Sequence, residues 1–172
     1  MRISVEKQNM LSHDRLVSLL DYDKKTGIFR WRVTRNGRAL AGADAGNMDG
    51  SGYLMVTIDR AKYLAHRLAW FWVRGEWPST EVDHKDLHRS NNRWRNLRLA
   101  TESQNRHHTA LRKSNTSGVT GVHWHVRKAR WVARIRTKDG RVDLGDFIDK
   151  EDAAAAYRSA AKKHYGEFAR ST

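Results

Sequence analysis

The chain has 172 residues, with 33 Lys and Arg against 19 Asp and Glu, a formal net charge of +14 at pH 7. The sequence contains no cysteine, which excludes disulfides and every cysteine-ligated zinc, haem or iron–sulfur site. The cationic excess points to a polyanionic partner, nucleic acid before membrane, because Lys and Arg that neutralise phosphates release condensed counterions.

A hydrophobic fraction of 39% is low, but seven Trp, five Tyr and four Phe supply large apolar units that can close small cores. The apolar stretches fall far short of the roughly 20 residues needed to cross a bilayer, and the N-terminus lacks an apolar signal core. The expectation is a soluble, intracellular, cytoplasmic protein without a membrane partner.

In chain order, residues 11–20 space Leu11, Leu16, Val17, Leu19 and Leu20 as a short helix that Ser12 can cap. Residues 27–32 and 52–58 alternate after turn sequences and read as strands. Between them, 37–50 reads as a loop with one weak strand around Ala39 to Ala41. A hairpin is expected at Asp59–Lys62, then a buried helix over Ala65–Val73 that stops at Gly75. Glu81–His84 and Asn96–Leu99 are predicted strands bracketing a polar loop, and Thr101-Glu102-Ser103-Gln104 has the pattern that opens a helix. Composition then shifts at 111–117, where a linker is expected. Beyond it, 121–125, 131–136 and 142–147 read as three strands. An Ala-rich helix follows, with Asp149 at its N-cap and Gly166 at its end.

Asp83, His84, Asn96 and Asn105 are the informative polar residues: an adjacent pair at the end of one strand, then steps of twelve and nine into the second strand and the helix. Phosphodiester hydrolysis at neutral pH needs a base to generate the nucleophile and positive charge to stabilise the oxyanion and the departing oxygen. An unperturbed imidazole titrates near ~6.5, so His84 can accept a proton from water at cellular pH. Asp83 and Asn105 are hard oxygen donors suited to Mg²⁺ or Mn²⁺. Asn96 can brace the loop through backbone hydrogen bonds and so hold His84 in one orientation.

The stretch EVDHKDLHRSNNRWRNLRLATESQNRHH resembles the HNH nuclease motif in residue type and order. The resemblance implies a ββα-metal nuclease with His84 as general base, Asn96 as the loop-bracing middle residue, and Asp83 with Asn105 as ligands of a single metal. Asn105 stands where many members have a third His, a departure shared with the phage homing-endonuclease branch. Leu19-Leu20-Asp21-Tyr22-Asp23, Thr26-Gly27 and His66-Arg67-Leu68-Ala69-Trp70 are also similar to that branch, so the resemblance covers roughly residues 11–108. His66 reads as a structural or phosphate-contacting residue before a ligand. Arg89, Arg93, Arg95, Arg98 and Arg106 read as phosphate clamps, and His88, His107 and His108 as solvated or DNA-facing.

From Arg112 to Arg141 there are nine Lys or Arg against the single acid Asp139. Period-two alternation puts Arg134 and Arg136 on one face of a strand, with Ala133 and Ile135 on the other. Residues 117–169 are similar to the APETALA-two/ethylene-response-factor DNA-binding domain, through Gly121-Val122, the Arg-Ile-Arg strand, Leu144-Gly145-Asp146-Phe147 and the helix from Glu151 to Tyr157. That resemblance implies DNA-facing positions at His123, His125, Arg134, Arg136 and Arg141. Asp143 stands where plant members have a base-contacting Trp, so the plant target sequence does not carry over.

The expected architecture is α+β. Residues 1–110 form an HNH domain with added antiparallel strands and helices (core motif 81–109), 111–117 the linker, and 118–172 a three-stranded antiparallel sheet packed on one helix. The expected activity is sequence-specific, metal-dependent cleavage of double-stranded DNA by a homing-type endonuclease, leaving 5′-phosphate and 3′-hydroxyl. A monomer, slightly favoured, would nick, and a pair would cut both strands. The alternative is a non-catalytic DNA-binding regulator retaining the nuclease fold.

Overall fold

The computed structural model describes residues 11–35, 39–108, 111 and 114–169, and of His107 the backbone alone. The chain divides into two compact units, Met1–Thr101 and Glu102–Thr172. The compositional change at 111–117 thus falls inside the second unit, and the 81–109 motif straddles the division. Arg112, Lys113 and the side chain of His107 lie outside the described residues.

In the first unit the Ser12 hydroxyl accepts from the Arg15 N–H and opens α1 (His13–Leu19), whose Leu16 and Leu19 are buried. The chain runs directly into β1 (Leu20–Tyr22), which pairs antiparallel with β2 (Phe29–Trp31). In the connecting turn the Asp23 carboxylate accepts from the Lys25 N–H and the Thr26 hydroxyl, and Gly27 takes φ +78°. A Cβ on Gly27 would overlap the backbone of Asn92 and Arg93, so this turn lies backbone to backbone against the loop that carries Asn92. Gly27→Ala combines that overlap with an unfavourable φ and is expected to cost about 1–3 kcal/mol. Urea denaturation measures it, and an unchanged midpoint would contradict the close approach.

The weak strand expected around Ala39–Ala41 does not form. There the Ala39 carbonyl accepts from the Arg35 N–H, the Thr34 hydroxyl from the Ala41 N–H, and the Trp31 carbonyl from the Gly42 N–H, so the segment turns back on itself. The strand pairing is taken instead by β3 (Asn47–Met48), in a sheet ordered β3, β4 (Leu54–Ile58), β5 (Ala61–Leu64). The β4–β5 turn places Asp59 and Arg60 at φ 47° and 66°, the left-handed pair of a type I′ hairpin.

Helix α2 (Ala65–Arg74) leaves β5 without a break, buries Ala65, His66, Leu68, Ala69 and Phe71, and ends at left-handed Gly75, whose N–H donates to the Phe71 carbonyl. It packs on α1, β4, β5 and β6 (Glu81–His84). Strand β6 pairs antiparallel with β7 (Leu97–Ala100), Asp83 opposite Arg98 and His84 opposite Leu97. One core links Leu16, Leu20, Phe29, Val56, Ile58 and Leu68 to Val82 and Leu97, and so fixes the end of β6 where Asp83 and His84 stand.

The second unit begins with α3 (Glu102–His107) and continues as β8 (Val122–His125), β9 (Arg130–Thr137), β10 (Gly140–Phe147) and α4 (Lys150–Tyr165). The sheet is antiparallel in the order β10-β9-β8, and Ala133 and Ile135 pack on Ala153, Ala154, Tyr157 and Ala161 of α4. Asp149 occupies the N-cap position but makes no side-chain capping bond. The fold is thus mixed helix and strand with small antiparallel sheets, as the sequence implies. Among the described residues no helix is long and apolar enough to cross a membrane.

Candidate active site

Asp83 and His84 close β6, and both are buried, because the strand end is covered by α2 and by the 85–96 loop. Asn96 does not begin β7 as expected but ends a 3₁₀ turn, Trp94–Asn96, just before it. From there it binds the loop at two points. Its amide nitrogen donates to Asp86 Oδ1 at 2.9 Å and to the Asn91 carbonyl at 2.8 Å, while its Oδ1 accepts from the Asp86 N–H at 3.2 Å. These bonds close the loop on itself and fix the residues between.

One of those is Asn92, which the spacing argument passes over. Its Oδ1 lies 3.1 Å from His84 Nε2, and its side-chain nitrogen donates to the Ser90 carbonyl. An amide oxygen can only accept, so His84 carries its proton on Nε2 and keeps the lone pair on Nδ1. Asn92 is itself 1% exposed, and its carbonyl accepts from the Tyr22 hydroxyl of β1. Nothing in the sequence marks Asn92, because its partner Tyr22 is seventy positions away. Burial pushes the His84 pKa below the ordinary histidine value, against the hydrogen bond that His84 donates to Asn92 and the nearby carboxylates of Asp83 and Asp86. The imidazole is accordingly neutral at pH 7.

Arg98, expected on a DNA-facing surface, is instead buried. Its Nε donates to Asp83 Oδ2 at 2.9 Å, with Nη2 also 2.9 Å from that oxygen, across the β6–β7 ladder. The β6–β7 register puts Arg98 and Asp83 side by side as cross-strand partners, and an ion pair inside the protein satisfies both charges better than either alone.

A second imidazole flanks His84. His66, in the first turn of α2, is 5% exposed, with its ring edge-on to His84 at a centroid separation of 4.9 Å. Tyr53 lies 5.4 Å from His66 and 6.1 Å from His84. Arg89 covers the Tyr53 ring at 4.9 Å and donates to the Ser51 carbonyl at 2.7 Å. Burial first, then the neighbouring His84 and Arg67, lower the His66 pKa to about 3.

That shift has a signed consequence. A histidine lowered from ~6.5 to about 3 on folding binds its proton in the unfolded state only over that interval. Stability is therefore fully present above pH ~6.5 and falls by about 1.4 kcal/mol per pH unit toward pH 3, with His84 acting in the same direction. Denaturation midpoints compared with those of His66→Phe measure it: the variant should lose the larger part of this acid sensitivity.

Other expected contact residues fall as follows. Arg89, Arg93 and Arg95 are exposed on the 85–96 loop, as is His88, which pairs with Asp86. Arg106 is exposed on α3, with Glu102 one turn earlier as its ion-pair partner. His108, expected on a surface, is buried in the second unit edge-on to Phe168. Asn105 is half-buried on α3 and belongs to that second unit. Among the described residues no group of three His, Asp or Glu side chains is arranged to hold a metal.

The register of the C-terminal sheet decides its faces. His123 opposes Val132, His125 opposes Arg130, Arg134 opposes Asp143, and Arg136 opposes Arg141. Direct antiparallel partners share a face. All five positions expected to face DNA therefore lie together, opposite the face on α4. Two acids temper the charge: Asp143 pairs with Arg134 and Asp146 with Lys128. Arg136 and Arg141, by contrast, stand opposite each other as like charges. An open concavity of about 1270 Å³ in this unit is lined by Arg106, His123, Arg134, Arg136, Lys138 and Arg141, among others.

Residues 63–107, from β5 through α3, match the HNH endonuclease family. The chain is 33% identical over 121 residues to an uncharacterized HNH endonuclease, L560, of Acanthamoeba polyphaga mimivirus. That match covers 69% of this chain but 62% of the relative, so the chain spans less than two thirds of its length. It is 32% identical over 89 residues to protein 3.8 of Escherichia phage T7, covering 52% of this chain and 73% of that one. A structure titled for DNA binding and cleavage by the HNH homing endonuclease I-HmuI aligns over 86% of this chain and 85% of its own at 16% identity, with a TM-score of only 0.39. The chain carries an HNH endonuclease family domain, within which Asp83, His84 and Asn96 fall. Its particular relatives in these comparisons are viral.

Proposed function

We propose that this protein is a sequence-specific, metal-dependent DNA endonuclease of the homing type. The observation that carries the reading is His84: a buried, neutral imidazole, its Nε2–H tied to Asn92 and its Nδ1 lone pair retained, in a family-matched motif. In the proposed reaction His84 Nδ1 takes a proton from water. The resulting hydroxide attacks phosphorus, the bond from phosphorus to the 3′-oxygen breaks, that oxygen takes a proton from solvent water, and His84 returns its proton to solvent. The products are a 5′-phosphate and a 3′-hydroxyl.

A divalent cation fits the donor chemistry at the end of β6. Mg²⁺ is commonly held by one or two carboxylates, with waters and phosphate oxygens completing its shell. Asp83 would hold it, with Asn105 as the second oxygen donor that the family resemblance adds, and Mg²⁺ or Mn²⁺ would supply positive charge to the phosphate oxygens. Arg98 orients the Asp83 carboxylate and offsets part of its charge, which favours a cation that arrives with the DNA phosphate. Asn96 keeps the loop, and through Asn92 the base, in one geometry.

The basic face of the second unit is proposed to bind double-stranded DNA through His123, His125, Arg134, Arg136 and Arg141. Like charges directly opposite each other, as at Arg136 and Arg141, cost stability that a phosphate between them would relieve. Arg136→Ala with Arg141→Ala should weaken DNA binding and reduce the slope of log affinity against log salt by about 2. A slope unchanged from the parent's would place the DNA elsewhere.

The second reading, a DNA-binding regulator without activity, is favoured by Arg98 holding the candidate metal ligand Asp83. A plasmid-cleavage assay with Mg²⁺ and with EDTA separates the two. Metal-dependent nicking or linearisation is expected, and binding without cleavage under both conditions would leave only the regulator.

A further inference from the structure

His66 lies in the His84 neighbourhood but the proposed reaction does not use it, and its burial is hard to account for as packing. Its Nδ1 is sealed from solvent with no hydrogen-bond partner. A phenylalanine of similar shape would fill the same space without stranding a polar atom, so an imidazole here is a net cost unless one of its nitrogens finds a partner in a working complex. Which nitrogen is decided by the sealed one. A stranded acceptor is tolerated more readily than a stranded N–H, so Nδ1 keeps the lone pair and Nε2 carries the proton. The neighbours agree: the ring is beside His84 and Tyr53, with Arg89 stacked on Tyr53. A cation next to the base and a neutral N–H donor together suit an anion placed where His84 can deliver a nucleophile.

Resting on the nuclease reading, we propose that His66 is a further catalytic residue whose neutral Nε2–H donates a hydrogen bond to an oxygen of the scissile phosphate, with Arg89 on its Tyr53 platform supplying the charge. The assignment differs from the role of His84: His66 transfers no proton, and it acts as a fixed donor that strengthens as charge builds on the phosphate oxygens. Because its pKa is held far below neutrality, it stays an uncharged donor throughout the pH range in which His84 is a base.

The test compares single-turnover cleavage and DNA affinity for the parent, His66→Phe, His66→Gln and His84→Ala, using a cleavable duplex with Mg²⁺ for rate and the same duplex with EDTA for binding. His66→Phe keeps the ring contact and loses only the N–H. It is expected to cleave at least about 10-fold more slowly, with affinity within about 2-fold of the parent and a melting temperature no lower. His66→Gln, which restores an N–H at the end of a side chain of similar reach, should recover part of the rate. His66→Phe cleaving at the parental rate while His84→Ala does not cleave overturns the His66 assignment and leaves the nuclease reading intact. A parent that cleaves no DNA overturns both.

Discussion

His84→Ala is expected to reduce single-turnover DNA cleavage by about 10²–10⁴-fold while leaving DNA affinity within a small factor of the parent's. The side chain is proposed to act on water and not to hold the duplex, so the loss falls on the rate. The imidazole is buried against His66 and Tyr53, so removing it also opens a small void. Thermal melting therefore accompanies the assay, to show that the variant is folded at the temperature of cleavage. Asn92→Leu is the companion variant: it keeps the volume but removes the acceptor that fixes Nε2–H, and should lower the rate by less than His84→Ala does. Parental cleavage by His84→Ala would remove His84 as the base.

Arg98→Ala should destabilise the first unit by about 3–5 kcal/mol, the usual result of stripping one partner from a buried ion pair. The Asp83 and Arg98 side chains are about one-tenth exposed, and the carboxylate left behind has little water to replace the guanidinium. Adding Asp83→Asn to Arg98→Ala should recover part of that loss, because the stranded charge is gone. Mg²⁺ supplies an independent reading. If Asp83 is a metal ligand, the cation substitutes for the missing guanidinium, and millimolar Mg²⁺ should raise the melting temperature of Arg98→Ala more than that of the parent. Equal shifts in the two proteins would argue against metal at Asp83.

Arg98 also illustrates where local pattern stops. Its place on a strand was legible, because Leu97 and Leu99 alternate with it, but alternation assigns a face without saying what covers that face. The sequence suggested solvent and phosphate; the β6–β7 register supplied Asp83 instead. His108 failed in the same manner, being covered by Phe168 from the far end of the chain. Ala39–Ala41 failed for a different reason: alanine has little intrinsic strand preference, and turn hydrogen bonds to Trp31 and Thr34 won.

Residue types and short-range spacing determined by themselves that this is a cysteine-free, strongly basic α+β chain, that Asp83 and His84 end a strand, that Asn96 braces a loop, and that Arg134 and Arg136 share a face with an apolar face behind them. Each is a local property, set by turn chemistry, side-chain period or the donors a residue carries. Only the tertiary structure decided which nitrogen of His84 holds its proton, that Tyr22 and Gly27 support Asn92, that Arg98 serves Asp83, and that His66 lies edge-on to the base. Those depend on contacts between segments tens of residues apart, and no period along a chain encodes which distant atom will be within three ångströms.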